Sequence, residues 1–169
     1  LIVEIEPSRG FGTGHHQSTR LCLVLLQTRR LESRTVIDVG TGSGVLALAA
    51  LMHGVPRAMG IDVDQEAQKG AGENARLNAL TERLELARGG PETVTGTWPL
   101  VLANVLAAPL IEMAPTLVRR VGHQGHVVLS GIPVAVEQDV EAAYRRLGMQ
   151  RVRTTSRAGW VALIMRASW

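Results

Sequence analysis

At 169 residues with 46% hydrophobic content, the chain fits one domain with a sizeable core, which argues against a disordered tail. Its formal charge of +3 rests on arginine, with Lys69 the single lysine. No uncharged apolar run of about 18 residues and no charged-then-apolar leader is present, so no membrane span or secretion is expected; the lone Cys22 cannot form an internal disulfide, which fits a reducing cytoplasm.

The chain opens on Leu1-Ile2-Val3-Glu4-Ile5 rather than on methionine, and this run reads as a strand already under way in a fragment of a longer polypeptide. Ser18 to about Gln27 reads as a helix capped by Ser18, with Leu21, Cys22 and Leu25 on one face. Strand, helix, strand and helix follow over 35–40, 44–53, 57–62 and 64–79, the last weakened by Gly70 and Gly72. Leu84 to Arg88 is a third strand, and Leu100 to Asn104, after a Gly-, Pro- and Thr-rich loop, a fourth. A helix with Pro109 near its start runs to about Val121, then come a strand from His126 to Ser130 and a helix from about Ala135 to Leu147. Segments 149–155 and 160–166 are expected to pair as a hairpin. Alternating strands and helices predict a doubly wound, mostly parallel α/β sheet with an antiparallel edge, in a single domain over 1–169. Arginine pairs at 29–30, 119–120 and 145–146 fall near helix ends, where they complement the dipole. With aromatics at 3% and no basic stripe interleaved with them, direct nucleic-acid binding is not expected.

Val36-Ile37-Asp38-Val39-Gly40-Thr41-Gly42-Ser43-Gly44 carries the most information. Its glycines bring a backbone close to a ligand at the end of a buried strand, and Asp62 ends the next strand, placed to accept from ribose hydroxyls. A dinucleotide site wants its third glycine where Val45 stands, and Asp38 would repel a pyrophosphate. The pattern suits a nucleoside carrying a sulfonium and an ammonium, S-adenosylmethionine. A nicotinamide or flavin site and a ligand-free turn are the alternatives.

Two further clusters add to this. Phe11-Gly12-Thr13-Gly14-His15-His16-Gln17-Ser18-Thr19 reads as a loop covering the cofactor, whose hydroxyls and following helix N-terminus suit its carboxylate. Adjacent histidines with no Cys, Asp or Glu at ligand spacing argue against a metal. Asn104-Val105-Leu106-Ala107 follows the fourth strand, where Asn104 can orient an amine or, structurally, cap the next helix. Trp98, Trp160 and Trp169 are too scattered to suggest an aromatic cage.

These motifs, with Gly-Ile-Asp-Val-Asp at 60–64 and Leu-Ser-Gly-Ile at 129–132, resemble the PrmA family of bacterial ribosomal-protein methyltransferases. The resemblance implies a seven-stranded class I methyltransferase fold, S-adenosylmethionine as cofactor, and amino groups of a large-subunit ribosomal protein as acceptor. It places cofactor contacts on Thr19, Gly40, Asp62 and Asn104, beside the turn residues Asp38, Gly42 and Gly44, and gives Phe11 and Thr13 a share in closing the site. Ser8-Arg9-Gly10 departs from the family's usual Gly-Met-Ala, and its N-terminal substrate-recognition domain has no counterpart here, which puts acceptor docking in question before cofactor binding. Rival readings are a methyltransferase for nucleic acid or a small molecule, and a non-catalytic cofactor-binding module. Enzymes that methylate the exocyclic amine of adenine place Pro-Pro and an aromatic where Val105-Leu106 stand, which argues against a flipped base.

Overall fold

The computed structural model describes residues 2–6, 14, 16–27 and 35–169. Seven strands form one sheet in the order β3-β2-β1-β4-β5-β7-β6. Strands β1 (Val36–Val39), β2 (Ala58–Asp62), β3 (Leu84–Arg88), β4 (Trp98–Asn104) and β5 (Val121–Pro133) are parallel. β7 (Trp160–Ala167) pairs antiparallel with both β5 and β6 (Met149–Arg157), which makes the expected closing hairpin. Strand order reverses between β1 and β4, and ligands of such sheets bind beyond the carboxyl ends at that point.

Helices cover both faces, which is why β1 reads Val-Ile-Asp-Val with all four residues buried. Its Val36 faces a core shared with α1 (Gln17–Gln27) and α2 (Val45–Met52), to which Ala75 of α3 (Gln65–Leu77) contributes. Ile37 and Val39 face the opposite core, under α4 (Ala107–Val118) and α5 (Glu137–Arg145). Cys22 lies in the first core, and burial pushes its thiol up to about 12, so it behaves as a small apolar residue. Among the described residues no helix is long and apolar enough to cross a membrane.

Several local expectations change. Residues 2–6 form no strand; side chains of α3 hold their backbone instead. His16, not Ser18, stands at the start of α1: its carbonyl accepts from the Arg20 amide and its Nδ1 faces the Ser18 amide at 3.3 Å. Ser18 itself is buried, with its carbonyl accepting from the Ser130 hydroxyl of β5. Gly70 and Gly72 do not break α3, which Asp64 caps by accepting from the Glu66 amide. Arg119–Arg120 and Arg145–Arg146 do close α4 and α5, whereas Arg29 and Arg30 lie outside the described residues.

Candidate functional site

A cavity of about 520 Å³ opens at the carboxyl ends of β1, β2 and β4, within the range of small-molecule sites. Its floor is the turn after β1. Gly40 adopts φ +70°, and a Cβ there would stand 2.5 Å from Val105 Cγ1, so only glycine lets the strands on either side of the switch point close together. The Gly40 and Thr41 amides both donate to the Ile61 carbonyl of β2. The Gly42 amide donates to Asp62 Oδ2 at 2.9 Å, and the Asp64 amide to Oδ1 at 3.0 Å. Each Asp62 oxygen thus holds one backbone amide and keeps lone pairs for two further donors, which suits a vicinal diol.

Asp38 sits beneath this turn, 1% exposed. The Thr41 hydroxyl donates to its Oδ2 at 2.8 Å, and its Oδ1 lacks a well-formed hydrogen bond. Burial pushes its carboxyl up to about 6; the Thr41 hydroxyl and the Ala47 amide pull it down, and nearby Asp62 raises it. A buried carboxyl in this state gains from a cation placed against it.

Across the switch point, Asn104 Nδ2 donates to Thr19 Oγ1 of α1 at 3.1 Å. Its Oδ1 is buried and has no partner among the described residues, and Asn104 lines the cavity. Asn104 does not cap α4, whose N-cap residue is Leu106, with no side-chain cap. The asparagine therefore offers an acceptor to a donor from outside the chain.

The structure brings Thr19, Asp38, Gly40, Gly42, Asp62 and Asn104 onto one cavity. Gly44 is the exception: it lies behind the turn, where a Cβ would come within 3.1 Å of Ala71 of α3, so it serves helix packing. Phe11 and Thr13 lie outside the described residues. Of the wall opposite, sequence reasoning includes His16 in the covering loop but misses Trp160. Trp160 and His16 meet edge to face at 4.7 Å and both line the cavity, although 144 positions apart (160 − 16). Gly131 also lines it, at φ +83°, where a side chain would strike the Val105 carbonyl. Its only trace in the sequence is the Leu-Ser-Gly-Ile motif. Among the described residues no group of three or more His, Cys, Asp or Glu is placed to hold a metal.

Known proteins are similar to this chain in sequence and fold. The family model described as ribosomal protein L11 methyltransferase (PrmA) matches residues 1–168. The ribosomal protein L11 methyltransferase of Pelobacter propionicus is 39% identical over 171 residues, covering 98% of this chain and 55% of its own length. That of Geobacter sulfurreducens is 40% identical over 165 residues, covering 98% and 54%. A crystal structure of ribosomal protein L11 methylase from Lactobacillus delbrueckii subsp. bulgaricus matches with a TM-score of 0.91 and 31% identity, over 99% of this chain and 86% of that one. The chain spans about half the length of the curated relatives it matches.

Proposed function

Because the chain belongs to the ribosomal protein L11 methyltransferase (PrmA) family, we propose that it binds S-adenosylmethionine in this cavity and methylates amino groups of ribosomal protein L11. When bound, the cofactor supplies an electrophilic methyl group on sulfur. The chain's residues fit such a molecule. Asp62 offers lone pairs to ribose hydroxyls, the Gly40–Gly42 turn brings backbone close to the ligand, and Asp38 favours an ammonium.

The acceptor amine must be neutral to attack. A lysine side chain has an ordinary pKa near 10.4, and desolvation at the rim disfavours its charged form. Asn104 Oδ1 accepts a hydrogen bond from the incoming amine and aims its lone pair at the methyl carbon; Thr19 fixes the amide's orientation through Nδ2. Holding nucleophile, carbon and leaving sulfur in line supplies much of the acceleration. The amine's proton leaves to solvent.

The single observation that carries this reading is the buried, unpartnered Asn104 Oδ1 facing the same cavity as Asp62 and the glycine turn. It favours a site that receives an N–H donor, from the cofactor's ammonium or from an acceptor amine, over a ligand-free glycine turn. The test incubates the chain with S-adenosylmethionine labelled in its methyl group and purified L11, with tRNA and a metabolite extract as rival acceptors. Label on L11 amino groups is the expected result. Label on tRNA or a metabolite alone, or no transfer despite cofactor binding, overturns it.

A further inference from the structure

Residues 2–6 lie along α3, held by two asparagines one turn apart. Asn78 grips Glu4 from both sides: its Oδ1 accepts from the Glu4 amide at 2.9 Å and its Nδ2 donates to the Glu4 carbonyl at 2.7 Å. Asn74 Oδ1 accepts from the Glu6 amide at 2.9 Å. The other end of that amide reaches into the site, with Nδ2 donating to the Ser43 carbonyl at 2.9 Å. Ser43 lies between Gly42 and Gly44 in the turn beneath the cavity.

Asn74 is 1% exposed, so neither end of its amide can turn to water instead. The group is planar, and the rotation that keeps Nδ2 on Ser43 also fixes where Oδ1 points. If residues 2–6 leave α3, Asn74 Oδ1 loses the Glu6 amide and the side chain is held at one end only, by its bond to the Ser43 carbonyl. The glycine turn is meanwhile pinned from two sides, by Asp62 on the Gly42 amide and by Asn74 on the Ser43 carbonyl. Further along the chain, His16 forms part of the cavity wall.

We propose that Asn74 is a positioning residue that couples the seating of residues 2–6 on α3 to the affinity of the glycine turn for its cofactor. This rests on the S-adenosylmethionine reading above. Whatever draws residues 2–6 away from α3 loosens the cofactor site, and cofactor binding seats the segment more firmly, since coupling between two sites is reciprocal.

Asn78 separates this coupling from simple loss of structure, because among the described residues its side-chain bonds reach Glu4 and the Asn74 carbonyl and none reaches the cavity. S-adenosylmethionine is titrated calorimetrically into the wild-type chain, Asn78→Ala and Asn74→Ala, and exchange of the Glu4 and Glu6 amides is followed by NMR with and without it. Asn78→Ala is expected to raise Kd about three- to tenfold, the worth of one hydrogen bond, and Asn74→Ala at least as much. Saturating cofactor is expected to slow exchange at both amides in the wild type. The proposal is overturned if Asn78→Ala frees the Glu4 amide yet binds with wild-type affinity, or if the cofactor leaves both exchange rates unchanged. Should Asn74→Ala not fold, those two measurements still decide. A wild-type chain that takes up no cofactor at all instead overturns the reading on which this rests.

Discussion

The two sides of the cavity are built differently. On the β1–β2 side the polar groups, Asp38 Oδ1 excepted, already have partners: Asp62 holds two amides, Gly40 and Thr41 share the Ile61 carbonyl, and Asn74 holds Ser43. On the β4–β5 side Asn104 Oδ1 is buried without a partner among the described residues, and Leu106 beside it stays 66% exposed. The first side is organised before any ligand arrives. The second completes its hydrogen bonds and covers its apolar surface only when something else does so. On the proposed function, the first side serves the cofactor and the second an amine with an aliphatic stem, the division that amine methylation asks of a cleft.

The largest effect should come from damaging the organised side. Asp62→Ala removes both backbone anchors and the acceptors for the ribose, each worth roughly 1.5–3 kcal/mol when the acceptor is charged. The Kd for S-adenosylmethionine should rise by at least about 100-fold, measured by calorimetry. A change of a few fold would mean that the ribose does not sit there. Asn104→Ala attacks the other side and should divide the two properties. Turnover with L11 is expected to fall about 10- to 100-fold, while cofactor Kd moves by less than about threefold. Equal loss in both would make Asn104 a cofactor anchor and not an orienting group for the amine.

Asp38 tests the same division through pH. Its folded carboxyl is raised to about 6 from an ordinary 3.8, so the native state binds a proton that the unfolded chain has released. Asp38's contribution to the stability of the free protein is therefore greatest below about pH 4 and is lost as pH rises through 6, by at most about 3 kcal/mol. Asp38→Asn should remove that contribution, seen as a smaller fall in melting temperature between about pH 4 and 7 than in the wild type. Cofactor affinity moves the opposite way, because an ammonium pairs with the ionised form: Kd should worsen about tenfold from pH 7 to pH 5 in the wild type and stay level in Asp38→Asn. A pH-independent wild-type Kd would place the ammonium elsewhere.

Which parts were legible follows from how local their causes are. The glycine turn, Asp38 and Asp62 lie within 25 residues (62 − 38 + 1) and obey a strand–turn–helix–strand pattern that hydrophobic periodicity exposes. Asn104 was readable because it ends an apolar strand. Trp160 joins His16 in the wall through the insertion of β7 between β5 and β6, a long-range pairing that leaves no trace near Trp160 in the sequence. The misreading of residues 2–6 has a physical source as well. Alternating apolar residues look the same whether the backbone pairs with a strand or with asparagine side chains, and only the latter occurs here. Gly44 has the motif's spacing but spends it on Ala71, since spacing reports a need for small size and not the direction from which the neighbour comes.

The smallest predicted effect concerns the place where the two sides touch. Val105 packs its Cγ1 over Gly40, and its carbonyl lies against Gly131, so it is the hinge between the organised and the waiting half. Gly40→Ala imposes two separate penalties, a left-handed φ of +70° and a clash with Val105 Cγ1, together about 1–3 kcal/mol. Val105→Ala removes the clash and leaves the backbone strain. The double variant should therefore recover about 1 kcal/mol relative to additivity, read as a melting temperature about 2–4 °C above the additive value for a domain of this size. Full additivity would show that the turn already yields, and that the two halves are less rigidly joined than the Val105 contact implies. Complete recovery would show instead that the left-handed conformation costs alanine little here, leaving contact across the switch point as the sole reason for glycine.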